Sequence, residues 1–380
     1  MKNVVILGAT GSIGQSAVKV ARDIPQQMRI VGLSAHRNLA KLGELAREFP
    51  EAALCVTSKE DPGTLDPCRK ILRGEEGLVE LATLPEADMV LIAIVGTGGL
   101  RPALAAIEAG KDLAIASKEI LVMAGEIVME AARRKGVKIL PVDSEHNAIF
   151  QCLEGRDPAH VRRLLLTASG GPFRQSTPES LENVTPAQAL KHPTWSMGNK
   201  ITIDSATLFN KGLEMIEARW LFNVGIERID VVVHPQSVVH SMVEFIDSSI
   251  LAQLSRSDMC FPIQYAVTWP QRVPNSLPAL DFAALSRLEF EAPRPGVFPA
   301  LLLAREAGAT GGTLPAVLNA ANEVAVAAFL GGRLSFPGIW RTVEAVMAAH
   351  RTIATPALDA ILEADLWART RAAERIALSA

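Results

Sequence analysis

The chain has 380 residues, 49% hydrophobic and 21% charged, with 38 basic against 41 acidic side chains. That composition excludes disorder, and a net charge of −3 gives no electrostatic footprint for nucleic acid. No apolar run reaches the roughly 18 residues of a membrane span, and the length calls for two or three domains rather than one core. The N-terminus, "MKNVVILGATG", enters a strand almost at once, which leaves no room for a leader peptide and points to the cytoplasm. "NVVIL", "RIVGLSA", "ADMVLIAIVG", "DLAIAS" and "VKILPV" read as buried strands. Helical spacing fills the gaps, in "SIGQSAVKVARD", "NLAKLGELAREF", "LRPALAAIEAG" and "EILVMAGEIVMEAARRKG". Strands this apolar, alternating with helices, predict a parallel sheet covered on both faces: an α/β, Rossmann-like domain over residues 1–142.

The pattern then changes. "VRRLLLTASGG" and "IDVVVHP" are strand-like, and "SVVHSMVEF" and "SILAQLS" look like strands paired around "IDSS". Between them lie the loop "KHPTWSMGNK" and a helix, "DSATLFNKGLEMIEARWLF", so residues 143–270 read as an α+β domain. Prolines scattered through "WPQRVPNSLPALDF" and "EAPRPGVFP" make 271–299 an extended linker. Residues 300–380 are Ala-rich and amphipathic, an all-α bundle. The cysteines (Cys55, Cys68, Cys152, Cys260) form no CxxC pair and no metal spacing, so reduced thiols are expected.

Three stretches carry chemistry. "GATGSIG", Gly8 to Gly14, sits between the first strand and first helix, where glycines let backbone amides approach a pyrophosphate. Its GxxGxxG spacing also suits a plain tight turn. The second strand ends in "SAHRN", with His36, Arg37 and Asn38 and no acid. Arg37 there can pair with a ribose 2′-phosphate, which favours NADP over NAD, although a solvated arginine would look the same.

"PVDSEHNAIF", residues 141 to 150, crowds polar groups at the close of an apolar run. In an extended segment Asp143 and Glu145 share one side, with Ser144 opposite, and two carboxylates repel unless a cation or a proton relieves them. The alternative is a helix N-terminus with Asp143 or Ser144 as cap and Glu145 in the first turn. Along the helix that opens at Ser205, the residues Thr207, Asn210, Lys211 and Glu214 fall on one polar stripe, which is otherwise a solvated face. Ser205, Asn210 and Lys211 are phosphate donors. Glu214, meeting Asp143 and Glu145, would make an oxygen-only site suited to Mg²⁺ or Mn²⁺.

Together with "SKE" at 117 to 119, "SGGPFR", "HPTWSMG", "HPQSVVHSM" and "LNAANEVAVAAFL", these words resemble the 1-deoxy-D-xylulose 5-phosphate reductoisomerase family almost end to end. The resemblance implies an N-terminal NADPH domain, a central catalytic and dimerisation domain, and a C-terminal helical domain. It implies rearrangement and reduction of a sugar phosphate, deoxyxylulose phosphate, to 2-C-methyl-D-erythritol 4-phosphate by a homodimer, with NADPH and one divalent cation (Mg²⁺, Mn²⁺ or Co²⁺). By position, Asp143, Glu145 and Glu214 match the metal carboxylates and, with Lys118, the catalytic set. Ser144, Glu145 and Lys118 match contacts to the substrate's oxygenated carbons. Ser169, Ser205, Asn210 and Lys211 match the phosphate pocket, and His192 a flap whose Trp195 is expected to close over substrate. Thr10, Gly11, Ser12, Ile13, Arg37, Asn38, Ser117, Glu119 and Gly198 match cofactor contacts. Ser117 replaces a usual asparagine, and His36 stands where glycine is common. Two other readings need no carboxylate triad: a plain NADP-dependent dehydrogenase of a phosphorylated hydroxy compound, and an idle NADP-binding sensor.

Overall fold

The computed structural model describes residues 1–59, 65, 70–195 and 197–379; Cys68 and Ser196 lie outside them. The apolar run Lys2–Leu7 forms β1, and the glycine turn leads into α1 (Ser12–Asp23). There follow β2 (Met28–Ala35), α2 (Leu39–Glu48), β3 (Ala53–Val56), β4 (Ile71–Arg73), α3 (Gly74–Ala82), β5 (Met89–Ile92) and α4 (Leu100–Glu108). Next come β6 (Asp112–Ile115), α5 (Glu119–Lys135), β7 (Ile139–Pro141) and α6 (Ser144–Leu153). The strands pair in parallel in the order β4-β3-β2-β1-β5-β6-β7. Val4 to Leu7 and Met89 to Ile92 have no exposed surface, the burial on both faces that their unbroken apolar runs imply. Because β1 has β2 on one side and β5 on the other, the winding reverses at its C-terminal end. A crevice for a dinucleotide opens at such a point.

The chain continues through β8 (Val161–Ala168) and two single-turn helices, α7 (Pro178–Leu181) and α8 (Pro186–Ala189). After α9 (Asn199–Thr207) and α10 (Phe209–Phe222) come β9 (Ile229–Val233), β10 (Val239–Phe245) and β11 (Ile250–Leu254). These strands form a second sheet, ordered β11-β10-β8-β9, with β8 and β9 parallel and the other pairs antiparallel. Helices make up most of the remainder: α11 (Cys260–Thr268), α12 (Phe282–Leu285), α13 (Ala300–Thr310), α14 (Leu314–Leu330), α15 (Gly338–Ala349) and α16 (Leu358–Ser379). The expected order of Rossmann-like, α+β and all-α regions holds.

Compactness divides the chain into two units. One comprises Met1–Ile120, Glu126–Asn147 and Asp258–Ala279; the other comprises Leu121–Gly125, Ala148–Ser257 and Leu280–Ala380. Packing rather than composition draws these limits. Within the first unit α11 is tied to segments far from it in sequence: Asn147 Nδ2 donates to Pro141 O at 2.9 Å and to Pro262 O at 3.2 Å. The Ser276 amide donates to Asp23 Oδ2 at 2.9 Å. Within the second unit one apolar core runs from β8 through α9 and α10 into α13, α14 and α15, with Phe209, Phe329 and Phe336 its largest buried side chains. Burial pushes the thiols of Cys55 and Cys260 up to about 12 and that of Cys152 to about 11, so at neutral pH they pack as small apolar groups. Among the described residues no helix is long and apolar enough to cross a membrane.

Candidate active site

At the end of β1 the backbone itself demands glycine. Gly8 has φ +91°, and a Cβ there would lie 2.5 Å from Ala93 O; a Cβ at Gly14 would lie 2.3 Å from Gly8 O. The turn thus presses the start of α1 against the strand end. Gly11 is the N-cap and no side chain caps the helix, so the first-turn amides face outward from an exposed Gly11 and Ser12, flanked by half-buried Thr10 and Ile13. At the end of β2, Arg37 is exposed and His36 Nδ1 lies 2.9 Å from Thr57 Oγ1. Asn38 Oδ1 accepts from the Lys41 amide at 3.1 Å and so caps α2. Ser117 is buried, its hydroxyl donating to Ile94 O at 2.5 Å and so holding the end of β5. Glu119 is buried at the start of α5.

The extended reading of residues 143–145 is overturned, because α6 begins at Ser144. Asp143 sits at that helix start: its Oδ1 accepts from the Ser144 amide at 3.0 Å, and its carbonyl accepts from the Asn147 amide at 2.8 Å. The charges gather nonetheless. Lys118 Nζ is 2.8 Å from Asp143 Oδ2, with the two side chains only 8% and 15% exposed. The Ser144 hydroxyl donates to Glu145 Oε2 at 2.6 Å. His146, fully buried, brings Nδ1 to 3.9 Å from Asp143 Oδ2. Sequence reading missed His146, whose one signal was its i+3 spacing from Asp143.

In the second unit the helix read as one from Ser205 onward is two. Leu208 adopts φ +67° and breaks it, so Ser205 lies at the end of α9 rather than at a helix start. Thr207 leaves the expected stripe: its hydroxyl is buried and donates to Ile203 O at 3.0 Å. Asn210, Lys211 and Glu214 remain together on α10. Fully buried Glu214 accepts from Lys211 Nζ at 2.7 Å and from Asn210 Nδ2 at 2.5 Å.

The loop after β8 lies directly on α9, since a Cβ at Gly171 (φ +65°) would meet Ala206 Cα at 2.9 Å. That contact brings Ser169 beside Ser205, and His192 Nε2 stands 3.0 Å from both hydroxyl oxygens. Its Nδ1 accepts from the amides of Thr194 (3.1 Å) and Trp195 (2.9 Å). Two N–H groups aimed at Nδ1 leave it bare, so the ring proton is on Nε2 and points at the serines. Burial, and then the Lys211 cation, hold the His192 pKa below its ordinary value and keep the ring neutral. Serine hydroxyls and an imidazole N–H converging near a buried lysine suit an anion with several oxygens. Trp195 is half-buried on the same loop, and Gly198 is the N-cap of α9.

Comparison with known proteins covers nearly all of the chain. Family models described as 1-deoxy-D-xylulose 5-phosphate reductoisomerase match residues 4–125, and models of its C-terminal domains match 139–222 and 254–371. The reductoisomerase of Pelotomaculum thermopropionicum is 51% identical over 375 residues, 97% of each chain. That of Symbiobacterium thermophilum is 52% identical over 383 residues, 98% of each chain. Among solved structures, the Zymomonas mobilis enzyme in complex with NADPH superposes with a TM-score of 0.92 at 43% identity, covering 99% of both chains. A DOX-P reductoisomerase in complex with NADPH, fosmidomycin and magnesium does so at 0.93 and 40% identity, over 100% of this chain and 99% of that one.

Proposed function

The chain belongs to the 1-deoxy-D-xylulose 5-phosphate reductoisomerase family, and from that premise we propose how its own residues divide the work. It is an NADP-dependent, metal-dependent oxidoreductase that rearranges and reduces 1-deoxy-D-xylulose 5-phosphate to 2-C-methyl-D-erythritol 4-phosphate for isoprenoid synthesis. The observation that carries the assignment is the full-length match to relatives about half identical, with the glycine turn and the phosphate-type donors both intact.

The glycine turn fits the pyrophosphate of NADPH, because Gly14, whose Cβ position is taken by the backbone of Gly8 and Ala9, lets α1 start hard against the strand end, and that helix start has no side-chain cap. The amides of Thr10 to Ile13 take the pyrophosphate and Arg37 takes the 2′-phosphate, while Asn38, Ser117, Glu119 and Gly198 complete the cofactor contacts. Asp143, Glu145 and Glu214 hold the divalent ion. Each is an oxygen donor with a partner inside its own unit: Lys118 for Asp143, Ser144 for Glu145, Lys211 and Asn210 for Glu214. Three carboxylates make an oxygen-only donor set of the kind a hard divalent cation takes. When bound, the cation supplies Lewis acidity to the substrate's oxygens and NADPH supplies hydride.

Lys118, Ser144 and Glu145 touch the reacting carbons, with the Ser144 hydroxyl fixing which way the Glu145 carboxylate turns. Ser169, Ser205, Asn210 and Lys211 grip the phosphate, and His192 donates its Nε2–H to it. The loop bearing His192 and Trp195 closes as a lid that excludes water. We assign cofactor binding to residues 1–142, catalysis and homodimer formation to 143–270, a linker to 271–299 and a helical support to 300–380, in a cytoplasmic enzyme. The test follows NADPH loss with deoxyxylulose phosphate before and after EDTA, then with Mg²⁺, Mn²⁺ or Co²⁺ restored. Turnover should vanish and return while NADPH titrates unchanged. Turnover undiminished by thorough metal removal would leave the plain dehydrogenase as the better account.

A further inference from the structure

Asp204 lies one residue before Ser205 on α9 and is only 1% exposed. A carboxylate so buried needs partners for its oxygens if it is to stay charged. Lys200 Nζ, one turn earlier on the same helix, is 2.9 Å from Oδ2. Oδ1 accepts from Asn322 Nδ2 at 2.8 Å, and Asn322 comes from α14, 118 residues further along the chain. A carboxylate only accepts, so the amide must turn its nitrogen to Asp204. That leaves the fully buried Asn322 with an Oδ1 that has no partner among the described residues. An unpaired buried carbonyl is unfavourable, and the apolar side chains that fill neighbouring positions of α14 (Val317, Leu318, Ala321, Ala325) would avoid it. Cohesion of the helical region has its own polar anchor. Arg369 of α16 bridges Glu323 and Asp365, and Asn319 donates to Glu323 at 3.0 Å. Asn322 is the member of this α14 polar set whose bond goes to α9.

We propose that Asn322 is a positioning residue for the phosphate-gripping hydroxyl: through Asp204 it fixes α9, and so places Ser205 against His192 and Ser169. The inference rests on the reading of Ser169, His192 and Ser205 as the phosphate pocket. Ser205 Oγ is 3.0 Å from His192 Nε2 and 3.4 Å from Ser169 Oγ, and Gly171 leaves no slack between its loop and the end of α9. A displacement of about 1 Å in such a set costs up to about a hundredfold. The C-terminal helices thereby set affinity for the phosphate end of the substrate without touching it.

The test compares steady-state kinetics, NADPH titration and thermal melting of the Mg²⁺-loaded full-length enzyme across three variants. Asn322→Ala should raise KM for deoxyxylulose phosphate about tenfold, the worth of one hydrogen bond to a charged group, with kcat and NADPH affinity within about twofold. The exchange Asp204→Asn with Asn322→Asp restores a donor–acceptor pair and should bring KM back most of the way. Ser205→Ala is the reference and should raise KM by itself. If Ser205→Ala raises KM and folded Asn322→Ala does not, the positioning role is overturned while the phosphate pocket stands. If Ser205→Ala leaves KM unmoved, the pocket reading falls and takes this inference with it. Should Asn322→Ala melt below the assay temperature, the folded exchange protein decides: a KM as high as that of Ser205→Ala overturns the proposal.

Discussion

Arg37 is exposed at the end of β2, where the chain offers no carboxylate to repel a 2′-phosphate. Losing one charge-assisted contact costs on the order of 1.5–3 kcal/mol. Arg37→Ala should therefore narrow the NADPH/NADH ratio of kcat/KM by at least about tenfold, and an unchanged ratio would put the selectivity elsewhere. His192 makes a second prediction, about pH. Its pKa in the folded protein is lowered, by burial and then by Lys211, so on acidification the unfolded chain takes up its proton first. The stability tied to the neutral ring is present above about pH 6.5 and is lost as pH falls toward the folded pKa, by no more than about 1.4 kcal/mol per pH unit. Urea midpoints measured from pH 7.5 to 5 should show that slope, and His192→Gln should flatten it; an identical slope would assign it to another group. At this scale the candidate residues were legible because they recur in long, distinctive words. Asp204 and His146 were not, since what marks them is burial and a partner distant in sequence or one turn away.

Elements were legible where period and punctuation agreed, as in β1, the glycine turn and α1. They failed at Leu208. Nothing in "DSATLFNKG" announces a break, because a left-handed backbone ordinarily asks for glycine. At 4% exposure Leu208 buries nearly its whole side chain, worth about 1.5–3 kcal/mol, against about 1–2 kcal/mol for the left-handed conformation. Packing wins, and the break sets Ser205 and Asn210 on separate helices. β4 escaped notice for a simpler reason: between Lys70 and Arg73 it offers only the apolar pair Ile71 and Leu72, too little pattern to stand out. Residues 192–195 are held by the amides of Thr194 and Trp195 donating to the His192 imidazole. Adding a phosphonate substrate analogue with Mg²⁺ should change Trp emission as that loop closes, and Trp195→Phe should remove the change. Full signal retained in Trp195→Phe would mean that another tryptophan reports.

For the whole molecule, the sequence separated a Rossmann-like part, a mixed part and a helical part, while the contacts that close each compact unit stayed invisible to it. Composition marks where the pattern changes, and α11 carries no mark that sends it to the first unit. Yet Ile263, Ala266 and Val267 are buried, and the Cys260 thiol donates to Ser16 O at 3.7 Å. This threading has a consequence for biosynthesis. The ribosome emits the seven strands of the first sheet by residue 141, but their unit lacks α11 until about residue 268 is free of the exit tunnel. During that interval, more than a hundred residues long, the nascent chain shows an apolar patch where α11 will dock, and it becomes a client for holding chaperones. A chain ending at residue 147 should therefore be produced mainly as aggregate. Co-expression of a segment spanning 258–279 should raise its soluble yield, and equal solubility with and without that segment would show that the sheet folds unaided.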